Sequence, residues 1–310
     1  MKIPRCDDVV TLSSRCHVPA AVIHVTSTLA NPGDVLAYEK PALGPRMGPG
    51  RMPITPHDRN RIGRELALIA RMGGESLLCF RSPDCERTVK PDGSPVSAAD
   101  MASEQVIVSA LRTRFPQWPV VSEEGDPAMR PEGSTYFLVD PLDGTRAFLA
   151  GRPDFCVLIA LIEGGVPIAG AIHQPVGDGN WWSGVDAFRG DPDKDAERLV
   201  PRQEGHAEGN IAIVSAEHAG AASRDLCEFL QITEIRSENS ALKFVRLAEG
   251  DADLYPRVGR TMQWDVAAGD ALLRCLGGGI RDLEGRSFVY GESALGWANP
   301  DFVAYRRLPA

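Results

Sequence analysis

The chain has 310 residues, of which 43% are hydrophobic and 24% charged, and a formal net charge of −9. That balance suits a soluble globular protein of about two domains with a sizeable core. The acidic excess argues against a nucleic-acid polymer as partner. For an anionic small molecule it favours a site whose positive charge comes from metal ions or a local basic pocket.

The seven cysteines are scattered, odd in number and free of any CxxC pair, which fits reduced thiols and a cytoplasmic location. Cys156 and Cys275 lie in apolar runs and read as small core residues. No stretch is long and apolar enough for a transmembrane segment. The weakly apolar run near the N-terminus carries His24 and follows Asp7 and Asp8, a poor signal peptide.

Residues 1–56 read as an N-terminal extension, dense in Pro and Gly without a period and expected to be poorly ordered. Met47 and Met52 lie just before the periodic pattern and offer internal translation starts. From Asp58, taken as the cap, Ile62, Leu66, Ile69 and Leu77 recur at helical spacing. Gly73 and Gly74 in that helix point to a close backbone approach. A second helix follows Ser97, with an S-x-x-D cap through Asp100 and an expected core face of Met101, Val108, Leu111 and Phe115. "PVVSEE" is a short strand, and "YFLVD" is another that runs into Asp140 and Asp143. "FCVLIALIEGGVPIAGAIHQPV" is a hairpin turning near Gly164-Gly165. After the Gly/Trp-rich "GDGNWWSG", strands and helices alternate: strand 211–215, helix near 224–230, strand near 232–236, helix 240–249, strand "ADLYPR", helix 264–276 and strand "GGIRDLEG". Such alternation indicates an α/β layer.

Four acidic signals sit at element ends, where the loops of an α/β protein gather into sites. Asp140 and Asp143 follow one strand, Glu123 and Glu124 another; Asp100 and Asp265 open helices. Carboxylates, with the Leu142 carbonyl between the two aspartates, are the hard oxygen donors that Mg²⁺ takes at ~2.1 Å. Two carboxylates so close repel unless a cation neutralises them. A pair of ions about 3.5–4 Å apart would activate a water and stabilise the leaving oxygen of a phosphate ester. Thr145 adds a hydroxyl that can orient the water. Gly144 permits a tight turn, and the backbone N–H groups that follow suit a phosphate.

"DPLDGT", "SEE", "SPVSAAD" and "QWDVAAGDAL" together resemble the lithium-sensitive, magnesium-dependent phosphatases of the inositol monophosphatase-like superfamily, from about residue 58 to the C-terminus. "KPDGSPVSAAD", "ALKFVRLAEGDADLYPRVG" and "VSAEH" resemble the CysQ-type 3'(2'),5'-bisphosphate nucleotidase branch. The resemblance implies a layered α-β-α-β-α sandwich, with an α+β metal-binding half over 57–176 and an α/β substrate-binding half over 177–310. It implies about two or three Mg²⁺ ions on Glu123, Asp140, the Leu142 carbonyl, Asp143 and Asp265. Asp100 and Thr145 would take the proton from the attacking water, and Glu124 would stand behind the ligands. Ser215, His218, Lys243 and Arg257, with Gly144, would hold the substrate. The implied substrate is a small phosphate ester, adenosine 3',5'-bisphosphate, for a monomer or homodimer inhibited by Li⁺. Two alternatives stay open: an inositol or sugar phosphate as substrate, and a catalytically silent nucleotide-binding protein. Asn239 stands where that branch usually has Gly, which bears on base specificity.

Overall fold

The computed structural model describes residues 54–81, 87–89, 95–126, 129–200, 211–216, 220–291 and 296–306. The extension lies outside them except for its last three residues, and so does His218. The first helix, α1 (Pro56–Cys79), is capped by Thr55 rather than by Asp58. The Asp58 N–H donates to Thr55 Oγ1 at 3.2 Å, and the Asp58 carboxylate accepts in return from the Thr55 N–H. Asp58 is thus the third-position partner of a capping box. The expected α1 face is buried throughout.

A short hairpin of β1 (Arg87–Val89) and β2 (Pro95–Ser97) leads into α2 (Ala98–Arg114). The buried residues of α2 are Ala99, Asp100, Ser103, Ile107 and Leu111; of the expected face Leu111 and the following Phe115 are buried and Val108 packs at the core's edge, but Met101 is not part of it. Met101 is about half exposed, at 52%. The turn that hides Asp100 rotates Met101 outward, because adjacent helical residues lie about 100° apart.

The larger sheet holds β3 (Val120–Ser122), β4 (Thr135–Asp143), β5 (Cys156–Glu163), β6 (Val166–Gln174), β7 (Gly179–Ser183), β8 (Ala187–Arg189) and β9 (Glu197–Leu199), in that spatial order. Only β3 and β4 pair parallel; the rest form an antiparallel meander. The hairpin turn between β5 and β6 uses Gly164 and Gly165 at φ 58° and 79°, where a side chain would be strained. The sheet runs through position 176, where the sequence suggests a division, because β7 to β9 continue it to Leu199. A five-residue helix, α3 (Thr145–Leu149), follows β4.

The smaller sheet has the order β11 (Glu234–Glu238), β10 (Ile211–Ser215), β12 (Leu254–Arg257), β14 (Phe302–Tyr305), β13 (Gly279–Asp282). Its helices are α4 (Ala221–Phe229), α5 (Leu242–Glu249) and α6 (Gln263–Cys275).

Alternation in β4 and β5 sets the layers. Phe137, Val139, Val157, Ile159 and Leu161 face α1 and α2, whereas Leu138, Leu158, Ala160 and Ile162 face α5 and α6. The α5/α6 layer packs against the smaller sheet through Phe244, Leu272 and Phe302. On that sheet's far face, Leu226, Cys227 and Leu230 of α4 cover Ala212, Val214 and Leu254. The order is therefore α-β-α-β-α, an α/β sandwich as expected. Close seating needs glycine at Gly269, where a Cβ would lie 2.2 Å from the Phe244 ring.

Candidate active site

Asp140 and Asp143 are three apart, so an ideal strand would aim them at opposite faces. The β4–β5 register shifts between them: Asp140 pairs with Leu158 and Asp143 with Cys156, so Pro141 and Leu142 oppose Val157 alone. This bulge restores the parity and lets both carboxylates line one cavity. Pro141 is tolerated because a bulge leaves an amide unpaired. The strand thus extends through both aspartates instead of ending before them. Within the bulge the Leu142 N–H donates to Asp140 Oδ1 at 2.9 Å, and Thr145 Oγ1 donates to the Leu142 carbonyl at 3.2 Å. Gly144 adopts φ 93°, and a Cβ there would sit 3.1 Å from the Asp154 carbonyl.

Parallel pairing with β3 brings in the next acid. Ser122 pairs with Val139, and the Glu123 N–H donates to the Val139 carbonyl at 3.1 Å, which sets Glu123 beside Asp140. The last acid comes from α6. Asp265 occupies its first turn, and its Oδ2 accepts from the Met262 N–H at 2.8 Å, so it closes a helix end while joining the site. Carboxylate oxygens of Glu123, Asp140 and Asp265 lie within 4.8 Å of one another. Asp143 stands beside this triangle with Oδ2 accepting from the Ala241 N–H.

Burial first, then the charges of Glu123, Asp143 and Asp265, push the Asp140 carboxyl well above its usual range. Asp265 is raised in the same way by burial and by Glu123 and Asp143. The neighbouring charges acting most on Asp140 are all acidic. A clustered set of hard oxygens, in which Asp140 and Asp265 are raised more by burial and acidic neighbours than they are eased by nearby N–H groups and, at Asp265, by Arg257, is the donor chemistry of Mg²⁺ or a similar divalent cation.

The cavity is about 320 Å³, and its other wall is cationic. Lys243 and Arg257 are 5% and 8% exposed. Lys243 Nζ donates to the Ser240 carbonyl and lies 5.2 Å from the Tyr255 ring centroid. Burial pulls Lys243 down to about 8, against the opposing effect of Asp143. Arg257 Nη2 donates to the Arg260 carbonyl at 3.2 Å, while its buried Nε has no hydrogen-bond partner among the described residues. Both cations also act on Asp143, whose raised carboxyl owes its shift to burial and is eased by Lys243, Ala241 N–H and Arg257.

Of the residues singled out in the sequence, the cavity joins Glu123, Asp140, Leu142, Asp143, Gly144, Thr145, Ser215, Lys243, Arg257 and Asp265. Asp100 is buried in α2 and does not line it; its helix is docked on the motif by Ser103 Oγ, which donates to the Pro141 carbonyl at 3.0 Å. Glu124 is half-buried in the turn after β3, outside the lining. Sequence reasoning missed the Ser240 carbonyl and the Ala241 N–H as site groups, and also Arg260 at the rim. The one signal for the first two was that "NSA" stands one residue before Lys243, with Leu242 between; Arg260 had none.

The inositol monophosphatase family matches residues 66–307. The 3'(2'),5'-bisphosphate nucleotidase CysQ of Shigella flexneri is 38% identical over 244 residues, covering 77% of this chain and 97% of the relative. The CysQ of Escherichia coli K12 is 37% identical over 251 residues, with the same coverage of both chains. Among solved structures, CysQ from Bacteroides thetaiotaomicron, described as a bacterial member of the inositol monophosphatase family, aligns with a TM-score of 0.67 at 30% identity. The alignment covers 80% of this chain and 98% of that one. The IMPase of Thermotoga maritima shares the fold at a TM-score of 0.65 and 23% identity, over 81% and 93% of the two chains. With the family matched across 66–307 and the whole acidic cavity inside that span, the chain belongs to the inositol monophosphatase family.

Proposed function

We propose that the protein is a metal-dependent phosphomonoesterase that hydrolyses the 3'-phosphate of adenosine 3',5'-bisphosphate to AMP and inorganic phosphate. The observation that carries this reading is the two-sided cavity, with a carboxylate triangle on one wall and buried Lys243 and Arg257 on the other. An ester with two phosphates uses both walls: one phosphate goes to the metal end and the other neutralises the cations. An ester with one phosphate, such as inositol 1-phosphate, leaves the two buried cations facing Asp143, a carboxylate that the metal end also uses, so their charge is less fully answered. The names of the curated relatives agree with the two-phosphate reading.

Glu123, Asp140, Asp143, Asp265 and the Leu142 carbonyl would hold the ions. When bound, Mg²⁺ supplies Lewis-acid polarisation of a phosphoryl oxygen and a water acidic enough to attack near neutral pH. The chain's own groups orient and deprotonate. Thr145 Oγ1 donates to the Leu142 carbonyl; as it accepts the water's proton it would turn its own proton from that carbonyl to Asp100, which leaves the carbonyl to a metal ion. A Thr hydroxyl is no base near neutral pH, so the proton is assigned to Asp100, whose helix Ser103 anchors to the same bulge. Ser215 and Lys243 line the route of the non-reacting part of the ester.

The test is Lys243→Gln, assayed on adenosine 3',5'-bisphosphate and on adenosine 3'-monophosphate. We expect kcat/KM to fall about tenfold further on the bisphosphate than on the monophosphate. Equal losses on the two esters would contradict a second-phosphate role for this wall.

A further inference from the structure

The segment Asn239-Ser240-Ala241 is the seam between the two walls. Its contacts reach the connection between β4 and β5 and the two strand ends that bound it, residues 143–156. Asn239 Nδ2 donates to Asp154 Oδ2, Ser240 Oγ lies 3.4 Å from Cys156 Sγ, and the Ala241 N–H donates to Asp143. In the other direction the Ser240 carbonyl accepts from Lys243. Ser240 holds φ 50°, a left-handed conformation that non-glycine residues adopt rarely and at a conformational cost. Some contact must hold the backbone there. The only side-chain hydrogen bond from Asn239 among those described goes to Asp154. The Asp154 side chain is 19% exposed, so the bond is largely shielded from water. The Asp154 carboxylate is also paired with Arg152, whose Nε lies 3.6 Å from Oδ1, and the Asp154 carbonyl approaches Gly144 of the metal-binding turn so closely that a Cβ there would lie 3.1 Å away.

We propose that the Asp154–Asn239 hydrogen bond is a latch that positions the 239–241 tripeptide, making Asn239 a positioning residue for substrate recognition. By holding Ser240 in its left-handed turn, the latch aims the Ser240 carbonyl at Lys243 and the Ala241 amide at Asp143. The cationic wall is thereby registered against the acidic one. Asn239 itself lines the cavity, so its fixed amide also bounds the space left for the non-reacting part of the ester. The role in affinity rests on the proposed substrate; the latch itself does not.

The experiment compares wild type, Asn239→Ala, Asn239→Asp, Asp154→Asn and the reciprocal double variant Asn239→Asp/Asp154→Asn. Hydrogen–deuterium exchange of the Ala241 amide is read alongside Mg²⁺-dependent initial rates on adenosine 3',5'-bisphosphate. Asn239→Asp removes the donor and sets two carboxylates against each other. Exchange and KM should each rise about fivefold to tenfold, with kcat changed less than about threefold. Asn239→Ala should shift both in the same direction by less and guards against misfolding of the charged variant. In the double variant the amide now at position 154 donates to the carboxylate now at position 239, and both quantities should return to within about twofold of wild type. Unchanged exchange in Asn239→Asp and Asn239→Ala, or a double variant no better than Asn239→Asp, overturns the latch. A wild type inactive on the nucleotide overturns the substrate reading alone, and the exchange pattern then decides the latch by itself.

Discussion

Asp140 shows how a single residue's environment dictates chemistry. It is 2% exposed, accepts one N–H from Leu142 and faces Glu123, Asp143 and Asp265. Without a cation this arrangement opposes folding. Because its folded pKa is raised above the unfolded value, its favourable contribution is complete below about pH 4. That contribution is lost as pH rises through the raised folded value. The metal-free protein should therefore melt at lower temperature as pH climbs from about 5 to about 8, while the stabilisation by Mg²⁺ grows over the same interval. Asp140→Asn keeps an acceptor for the Leu142 N–H and removes a charge. In EDTA near pH 8 it should melt about 2 °C or more above wild type, and in Mg²⁺ the order should reverse. Its activity should fall on the order of a hundredfold or more. Scanning fluorimetry across pH, with EDTA or Mg²⁺, checks the melting outcomes, and phosphate release checks the activity. A variant that melts below wild type in EDTA would show that Asp140 stabilises the fold without metal.

At the scale of elements, α1 is the rigid backing of the larger sheet, and its glycines decide how close it sits. A Cβ on Gly74 would lie 2.3 Å from His173 Cδ2. That ring cannot step aside, since its Nδ1 is 2.8 Å from Asn180 Oδ1 inside the sheet. Gly74→Ala should cost about 1–3 kcal/mol in a urea melt. Gly220→Ala, which meets nothing within 4 Å, should cost no more than about 1 kcal/mol, the loss of a favoured N-cap on α4. Equal costs would mean that α1 is not pinned there. This close approach was legible in the sequence as a Gly-Gly pair in an apolar helical pattern. The face of α2 was legible only at its C-terminal end, through Leu111 and Phe115: apolarity also pointed to Met101, whereas the fold buries the polar Asp100 and Ser103 in the first turns, where Ser103 binds the Pro141 carbonyl. Strands β8 and β9 are three residues each, too short to show a period, and the Gly/Trp-rich stretch that forms β7 has no clear alternation to mark it as a strand. The bulge at Pro141-Leu142 left no periodic trace either, although it is what turns two aspartates at odd spacing to one side.

For the whole molecule, five layers bring together acids from three places in the chain. They come from the parallel β3–β4 pair, the bulge of β4 and the first turn of α6. Composition and periodicity revealed the α/β class and the position of each acid at an element end; the resemblance supplied the layer order and grouped the acids. Of the 239–241 seam the resemblance marked only Asn239; the Ser240 carbonyl and the Ala241 N–H escaped both, because they are backbone atoms placed by a left-handed turn. The net charge of −9 fits the site, since attraction for an anionic ester must come from bound cations and from Lys243 and Arg257 rather than from the surface at large. The most direct test of the two-sided cavity is the ratio of kcat/KM for adenosine 3',5'-bisphosphate to that for inositol 1-phosphate, measured by phosphate release with Mg²⁺ and with EDTA. The two walls predict a ratio of about ten or more, with both rates abolished by EDTA. A ratio of one or below, or phosphate release that survives EDTA, would contradict it.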